Sequence, residues 1–170
     1  MKYLIIGNSA AGIGGTEGIR TNDEQNEITL ISEESYHTYS RPLISYYLAD
    51  KVNWEQLKFR SDDFYKKNRV ETKLGQKVTS LDCNNRNVVL EEGKKLKFDK
   101  LLLATGGKPF IPPLQGRDKS NIYTFMKLDD ARKIQDDIRG SEGGKAVILG
   151  AGLIGLKAAE ALVKKGFSVT

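Results

Sequence analysis

Residues Tyr3–Arg20, YLIIGNSAAGIGGTEGIR, decide how this chain begins to fold. Tyr3–Ile6 is a short apolar run that predicts a β-strand, and Ala10–Ile19 predicts a helix. A tight turn containing Gly7, Ser9 and Gly12 joins the two elements. Strand, glycine turn and helix form the setting of a dinucleotide-binding fingerprint, in which the backbone approaches a pyrophosphate at the helix N-terminus.

The match to this fingerprint is incomplete. Ser9 stands where the usual middle glycine would be, and Gly14 and Gly15 follow inside the predicted helix. Each of these two glycines weakens a helix by about 1 kcal/mol relative to alanine. From this loop alone, a tight turn without any ligand remains an alternative.

An acidic residue follows at the spacing that the fingerprint requires. Glu27–Ser32 (EITLIS) predicts a second strand, which leads directly into Glu33 and Glu34, and Glu33 comes 21 residues after Gly12. A carboxylate about 20 residues beyond the glycines accepts hydrogen bonds from a ribose hydroxyl. The alternative interpretation is a solvated acidic pair at the end of a strand.

A second copy of the pattern stands near the end of the chain. Lys145–Gly166 contains Gly150, Gly152 and Gly155 in the full G-x-G-x-x-G spacing, between a predicted strand Ala146–Leu149 and an alanine-rich helix. The repeat predicts two nucleotide-binding folds in one chain. One fold can hold a flavin dinucleotide and the other a nicotinamide dinucleotide.

The residues between the two copies predict further strands. Lys77–Asp82, Asn87–Glu91 and Lys95–Phe98 form an antiparallel meander, and Lys100–Ala104 is an apolar strand suited to the middle of a parallel sheet. The fold class is therefore α/β: a Rossmann-like fold with an inserted β-meander, followed by the start of a second Rossmann-like fold. Small residues at 105–107 end the apolar strand where a ligand would lie.

A proline-stiffened connector predicts the domain boundaries. Pro109, Pro112 and Pro113 separate a first domain, residues 1–108, from a linker at 109–126 and a second domain that starts at 127 and runs to 170. The chain stops in a predicted strand, Phe167–Thr170, before the second acidic residue would be reached. We therefore expect a fragment, a truncated gene product or one piece of a split protein.

Composition limits the kinds of partner. The chain has 170 residues, 27 Lys and Arg against 22 Asp and Glu, and a net charge of +5. The basic residues are dispersed, so nucleic acid is not expected as a partner. No apolar run approaches the roughly 20 residues that span a membrane, so a membrane is not expected either. Cys83 is the one cysteine, which excludes an internal disulfide and a C-x-x-C redox or zinc site. A strand at the very start leaves no room for a signal peptide, and a cytoplasmic location is the expectation.

The segment after Glu34 contains further candidates. Pro42 suits the first turn of a helix, and Arg41 beside it could neutralise a pyrophosphate, the alternative being an ordinary surface arginine. His37 is the only histidine. A role as general acid or base stays open for it, although a loop histidine without a placed partner is more often structural or solvated.

These motifs together resemble a known superfamily. They are G-N-S-A-A-G, I-S-E-E, Y-S-R-P-L-I-S, L-L-L-A-T-G-G-x-P and I-L-G-A-G-L-I-G-L-K-A-A-E, in that order. The chain is similar over essentially its whole length to the pyridine nucleotide-disulfide oxidoreductases. Within them it is most similar to the FAD-dependent NAD(P)H oxidoreductases grouped with rubredoxin reductase, ferredoxin reductase and the flavin part of NADH-nitrite reductase.

The resemblance implies FAD on the first fold and NAD(P)H on the second. By position, it assigns the FAD pyrophosphate to Gly7, Asn8, Ser9, Ala10, Ala11 and Gly12, and the adenosine ribose to Glu33 with the adjacent Glu34. It places Arg41 and Pro42 along the FAD, Val78 at the adenine through its backbone, and Ala104, Thr105 and Gly106 at further cofactor contacts. It assigns the NAD(P)H pyrophosphate to Gly150, Gly152, Leu153, Ile154 and Gly155.

The implied activity is hydride transfer from NAD(P)H to FAD, with electrons passed on to an external acceptor such as a rubredoxin or an iron–sulfur protein. No catalytic side chain is predicted, because the cofactors carry this chemistry. The paired cysteines of disulfide-using members are absent, and Tyr46 stands where some electron-transfer members have a lysine. The alternative is an FAD- or nucleotide-binding fragment or subunit without turnover of its own, in a homo-oligomer or a complex that supplies the missing domains.

Overall fold

The computed structural model describes residues 1–141 and 143–170, and these residues form two compact units. The first unit consists of residues 1–39 and 58–107, and the second of residues 40–57 and 108–170. Residues 40–57 are thus grouped with the C-terminal part of the chain, while the domain boundaries expected from the sequence stay a prediction.

The described residues of both units form helices and strands. In chain order they are β1 (Lys2–Ile6), α1 (Ala10–Asn22), β2 (Glu27–Ser32), a 3-10 helix (Arg41–Leu43), α2 (Ile44–Leu48), α3 (Trp54–Leu57), α4 (Phe64–Lys67), β3 (Val70–Leu74), β4 (Val78–Asp82), β5 (Asn87–Leu90), β6 (Lys95–Lys97), β7 (Lys100–Leu103), α5 (Leu128–Asp137), β8 (Gly144–Ala146), α6 (Leu153–Lys164) and β9 (Phe167–Val169).

The first unit contains a parallel sheet with the strand order β3-β2-β1-β7. The meander β4-β5-β6 is antiparallel and is inserted between β3 and β7, as the sequence predicts. Side chains alternate across the sheet. Ile5, Ile28 and Leu30 form a cluster on the face that Ile19 of α1 contacts. The opposite face carries a second cluster, in which Leu4 and Ile31 pack against Val88 and Leu90 of the meander.

The position predicted for the strand β7 is wrong. The apolar run Lys100–Ala104 predicts a central strand, but in the described part of the chain β7 pairs only with β1, through Leu4 and Leu101 among others, and forms the edge of the sheet. Leu103 is consequently 60% exposed. An apolar run of four residues indicates that both faces of a strand are partly covered. It does not indicate how many strands pair with that strand in the sheet.

The second unit is built from helices and a parallel strand pair. Helix α2 packs against α5 and α6, and the Gln135 side chain of α5 donates hydrogen bonds to the Tyr47 carbonyl at 2.8 Å and to Asp50 at 2.9 Å. Strand β8, helix α6 and strand β9 form a β-α-β unit. None of the described helices is both long and apolar enough to cross a bilayer.

Strand β8 begins earlier than the sequence predicts. The expected strand was Ala146–Leu149, whereas the ladder with β9 starts at Gly144. A Cβ atom at Gly143 would lie 2.5 Å from the carbonyl oxygen of Gly166, so glycine permits the backbones to meet here. Gly143 and Gly144 therefore mark a place where two chain segments approach closely. Pairing still continues past Ala146, because the Ile148 N–H donates to the Thr170 carbonyl at 2.8 Å.

An ion pair fastens helix α1 within the first unit. Arg60 Nε donates to Glu17 Oε1 at 2.8 Å, and Arg60 Nη2 donates to Glu17 Oε2 at 3.2 Å. The hydrogen bonds from Arg60 hold the pKa of Glu17 below its ordinary value of 4.5. Because this pKa is lower in the folded than in the unfolded state, the pair stabilises the fold above the unfolded-state pKa and loses its effect as the pH falls through the folded-state pKa.

We expect Glu17→Gln to lower the free energy of unfolding at neutral pH by at most about 1 kcal/mol, because the pair is partly exposed and screened. The difference between the two proteins should shrink as the pH falls from about 7 towards 3. Urea unfolding across this pH range measures it, with Glu24→Gln as the control that removes a carboxylate just beyond the same helix. A difference that stays constant with pH would contradict the ion-pair explanation.

Candidate functional site

The first glycine loop leaves the carboxyl edge of the parallel sheet. Gly7 has a φ of +121°, and a Cβ atom there would lie 2.0 Å from the Ala104 carbonyl oxygen, so only glycine fits. The Gly7 N–H donates to the Ile31 carbonyl at 2.8 Å, and the Ala104 N–H donates to the Ile6 carbonyl at 2.8 Å. The loop therefore begins between the ends of β2 and β7, where ligands of open parallel sheets bind.

The third glycine of the loop brings helix α1 against its own start. A Cβ atom at Gly12 would lie 2.0 Å from the Gly7 carbonyl oxygen and 3.5 Å from Ile5. Gly15 has a similar function one turn later, because a Cβ atom there would lie 2.2 Å from the Leu102 side chain. Gly15 therefore allows the helix to approach the sheet, whereas Gly14 and Gly18 of the same helix have open space around them.

The serine in place of the middle glycine is compatible with this loop. Ser9 is the N-cap of α1 and has extended backbone angles, φ −111° and ψ −169°, which any residue adopts. Its side chain does not cap the helix, and the first turn of α1 contains no acidic residue. The positive end of the helix dipole is thus not offset by a carboxylate of this turn, which favours an anionic ligand such as a phosphate.

The second glycine loop, after β8, repeats this construction. Gly150 has a φ of +120°, and a Cβ atom at Gly155 would lie 2.0 Å from the Gly150 carbonyl oxygen and 3.3 Å from Ile148. Gly152 is the N-cap of α6, again with extended backbone. The two next residues are open to solvent, Leu153 being 74% and Ile154 54% exposed. Both loops therefore present a helix N-terminus in the same geometry.

The two predicted acidic residues differ in their surroundings. The register pairs Ile6 with Ile31, so Glu33 follows the end of β2 at the edge where the first loop lies, and it is exposed. Glu34 accepts a hydrogen bond from the Tyr39 hydroxyl at 2.5 Å through Oε2. Glu33 is the more exposed of the two, and the ribose contact predicted for this pair stays a prediction.

The remaining candidates of the first unit flank the same edge. The Gln76 N–H donates to the Ser32 carbonyl at 2.9 Å, which brings the start of β4 to the end of β2. Val78 directs its side chain into the core beside the meander. Ala104, Thr105 and Gly106 continue from β7 past Gly7, and Gly106 has a φ of +69°.

A residue without any sequence signal, Tyr65, joins this site. Its hydroxyl donates to Asn8 Oδ1 at 2.7 Å and accepts the Thr38 N–H at 3.1 Å, while Asn8 Nδ2 donates to the Tyr36 carbonyl at 3.1 Å. Asn8 and Tyr65 are 57 positions apart in the chain. No local pattern predicts such a contact, which only the folded chain reveals.

The surroundings of His37 favour a structural role. Its ring packs on Tyr65 with the centroids 4.8 Å apart, and Nδ1 lies 3.2 Å from the Thr38 carbonyl oxygen. Because a carbonyl only accepts, this contact places the hydrogen on Nδ1. Nε2 is buried and finds no hydrogen-bond partner in the described residues. Among residues 1–141 and 143–170, no carboxylate forms a hydrogen bond with the ring, whereas a catalytic histidine is usually oriented by one.

Three further predicted features belong to the second unit. Arg41 and Pro42 form the start of the 3-10 helix, and Arg41 Nη1 donates to the Met126 carbonyl at 3.2 Å. Their place along a cofactor stays a prediction. The ring of Tyr46 has the ammonium groups of Lys51 and Lys157 at 5.3 and 5.4 Å from its centroid. Positive charge beside Tyr46 is therefore supplied by neighbouring lysines.

Comparison with known proteins places these features in a family. Residues 1–170 match the family model described as pyridine nucleotide-disulphide oxidoreductase. The NADH-dependent phenylglyoxylate dehydrogenase subunit epsilon of Aromatoleum evansii is 37% identical over 169 residues, which are 99% of this chain and 40% of the relative. The NADH-rubredoxin oxidoreductase of Clostridium acetobutylicum is 30% identical over 165 residues, 97% of this chain and 42% of the relative.

Solved structures agree with this match. The chain is similar to a chain in the crystal structure of the covalent putidaredoxin reductase–putidaredoxin complex, with a TM-score of 0.86 and 28% identity, over 99% of this chain and 41% of that one. The similarity confirms the Rossmann-type fold class expected from the sequence. The chain spans about two fifths of the length of these relatives.

Proposed function

The chain belongs to the pyridine nucleotide-disulphide oxidoreductase family, and on that premise we propose that it binds FAD at its first glycine loop and NAD(P)H at its second. The observation that carries the proposal is the shared construction of the loops. In each, the first glycine has a φ near +120°, and a Cβ atom on the third would lie 2.0 Å from the carbonyl oxygen of the first. Each loop leads into a helix N-terminus, the usual place of a dinucleotide pyrophosphate.

The residues of the first unit suit an adenine dinucleotide. The backbone of Gly7–Gly12 would receive the pyrophosphate, since a side chain at Gly7 or Gly12 would be blocked by the protein itself. Glu33, exposed at the same sheet edge, would accept hydrogen bonds from the ribose. Val78 would meet the adenine through its backbone, because its side chain packs in the core. Residues 104–106 would line the opposite side of the dinucleotide.

The protein's part in the reaction is binding and orientation. When bound, a reduced nicotinamide supplies a hydride to the flavin, which delivers electrons onward. The chain would hold the two pyrophosphates at separate helix N-termini. Within the sequence there is one cysteine, Cys83, and it is exposed. We therefore assign no thiol relay to this chain, and no side chain is proposed to react.

The electron acceptor is proposed to be a small electron-transfer protein. Two proteins similar to this chain support this class of acceptor by name, one as an NADH-rubredoxin oxidoreductase and one as a reductase held in complex with putidaredoxin. The acceptor would lie outside this chain. Identification requires reduction assays with rubredoxin and with iron–sulfur proteins as separate acceptors.

A second candidate is a nucleotide-binding subunit or fragment without turnover of its own. It is supported by the name of one relative, which is itself a subunit, named epsilon, of an NADH-dependent phenylglyoxylate dehydrogenase. In the second unit the nucleotide fold consists of β8, α6 and β9. This candidate shares the FAD site with the first and differs only in catalysis.

One spectroscopic experiment separates the two candidates. We expect the purified chain, after incubation with FAD and removal of free cofactor, to retain a bound-flavin absorbance spectrum. Under anaerobic conditions, bleaching of the flavin by NADH or NADPH would support the oxidoreductase. Bound flavin that neither nucleotide bleaches would support the binding subunit. A chain that retains no flavin would overturn the proposed FAD site.

A further inference from the structure

The hydrogen bonds that link Asn8 to Tyr65 can run in only one direction. The Tyr36 carbonyl only accepts, so the amide nitrogen of Asn8 faces it at 3.1 Å and Oδ1 faces Tyr65. The Thr38 N–H only donates, so the Tyr65 oxygen accepts it at 3.1 Å. The tyrosine must then use its own hydrogen toward Asn8 Oδ1, 2.7 Å away.

This arrangement occupies both ends of the Asn8 side chain. Asn8 lies between Gly7 and Ser9, inside the first glycine loop, yet its amide faces α4 and the segment that follows β2. Its side chain is thereby held on the protein side, while the loop backbone stays available to a ligand. A glycine-rich loop is conformationally permissive, so a contact made at its second residue restricts a flexible segment.

The tyrosine itself is well held. Its ring packs against His37 at a centroid distance of 4.8 Å and edge-on against Phe64 at 5.5 Å. Burial raises the pKa of the Tyr65 hydroxyl above its ordinary value, so the group stays protonated and able to donate at neutral pH. The donor is therefore fixed in position by packing and does not depend on a surface side chain.

We propose that Tyr65 is a positioning residue for the first glycine loop, which it holds in its pyrophosphate-binding geometry through Asn8. The proposal rests on the proposed FAD site and deepens it. Tyr65 would not touch the cofactor. It would keep Gly7–Gly12 ordered before the dinucleotide arrives, so that binding does not have to order the loop.

The test is the affinity of the 170-residue chain for FAD and for ADP, which carries a pyrophosphate without the flavin. Tyr65→Phe leaves the ring and removes the hydroxyl. Asn8 Oδ1 and the Thr38 N–H then lose their partner. We expect both ligands to bind about tenfold more weakly, because a loop that is no longer held through Asn8 would have to be ordered when the ligand binds.

Tyr3→Phe is the matched control. It removes a tyrosine hydroxyl that donates to Asp23 at 3.0 Å, at the opposite end of β1 from the loop. Thermal unfolding of both variants reports stability, so a loss of affinity at a temperature where both are folded is separated from a loss of fold. We expect Tyr3→Phe to bind FAD and ADP as tightly as the wild type.

Each outcome decides one question. Wild-type affinity in Tyr65→Phe, or an equal loss in Tyr3→Phe, would overturn the positioning role. If Tyr65→Phe does not fold, Asn8→Ala tests the same hydrogen bond, and normal binding by that variant would overturn the role. Failure of the wild type to bind FAD or ADP would instead overturn the proposed FAD site, so the two failures are distinguishable.

Discussion

Replacing Gly12 by alanine is expected to weaken FAD binding by at least about a hundredfold. The new Cβ atom would lie 2.0 Å from the Gly7 carbonyl oxygen, a distance that real Cβ atoms do not show. The atom it meets is backbone, so no side chain can turn aside, and α1 must move away from the loop. Overpacking of this kind typically costs about 1–3 kcal/mol of stability, and the pyrophosphate cradle would lose its geometry as well.

Gly14→Ala, two positions further along the same helix, is the matched control for this variant. A Cβ atom at Gly14 meets nothing within 4 Å. Alanine there should therefore stabilise the helix by up to about 1 kcal/mol and leave FAD affinity unchanged. Titration with FAD and urea unfolding of the two variants make the comparison. If Gly12→Ala bound FAD within about threefold of the wild type, the steric description of this loop would be wrong.

The second large effect is expected from Gly155→Ala, which should abolish NAD(P)H binding and leave the FAD content unchanged. A Cβ atom at Gly155 would lie 2.0 Å from the Gly150 carbonyl oxygen and 3.3 Å from Ile148. The altered loop belongs to the second unit, whereas the proposed FAD loop belongs to the first. Bound FAD therefore acts as an internal reference for correct folding.

Leu156→Ala controls for a change in the same helix. Leu156 follows Gly155 directly and is largely exposed, so its truncation should alter neither nucleotide site. Binding of NADH and NADPH to the flavin-loaded protein, measured by fluorescence titration, reports the second site without requiring turnover. Loss of FAD together with NAD(P)H in Gly155→Ala would show that the two loops do not act as separate sites.

Much of the first unit could be predicted from the sequence because its signals are local. Strand β2 occupies Glu27–Ser32 with the bounds that the apolar alternation predicts. Helix α1 begins at Ala10 as expected and ends three residues later than expected, at Asn22. The strands of the meander, β4, β5 and β6, also lie within the three ranges predicted for them. Each of these elements is determined by the spacing of apolar and turn residues within a few positions.

Features that depend on distant contacts could not be predicted in this way. Tyr65 became part of the site only because folding brings it to Asn8, and the apolar content of β7 did not reveal that the strand lies at an edge. In the sequence, Ser9 and Gly15 make the match to the dinucleotide-binding fingerprint weaker. The structure gives both a reason, since position 9 has extended backbone and a Cβ at position 15 would meet Leu102. The roles of the cofactor-binding residues themselves stay predictions.

Residues 40–57 belong to the second unit, although the residues before and after them in the sequence belong to the first. This arrangement has a consequence for synthesis on the ribosome. Helix α2 packs against α5, which begins about 80 residues later, and against α6, later still. At roughly 5–20 residues per second, the ribosome completes those helices several seconds after α2 emerges. Residues 1–39 and 58–107 can pair their strands in the meantime. In the nascent chain, the segment of α2 would therefore lack the helices it packs against. It would stay accessible to chaperones until α5 and α6 emerge.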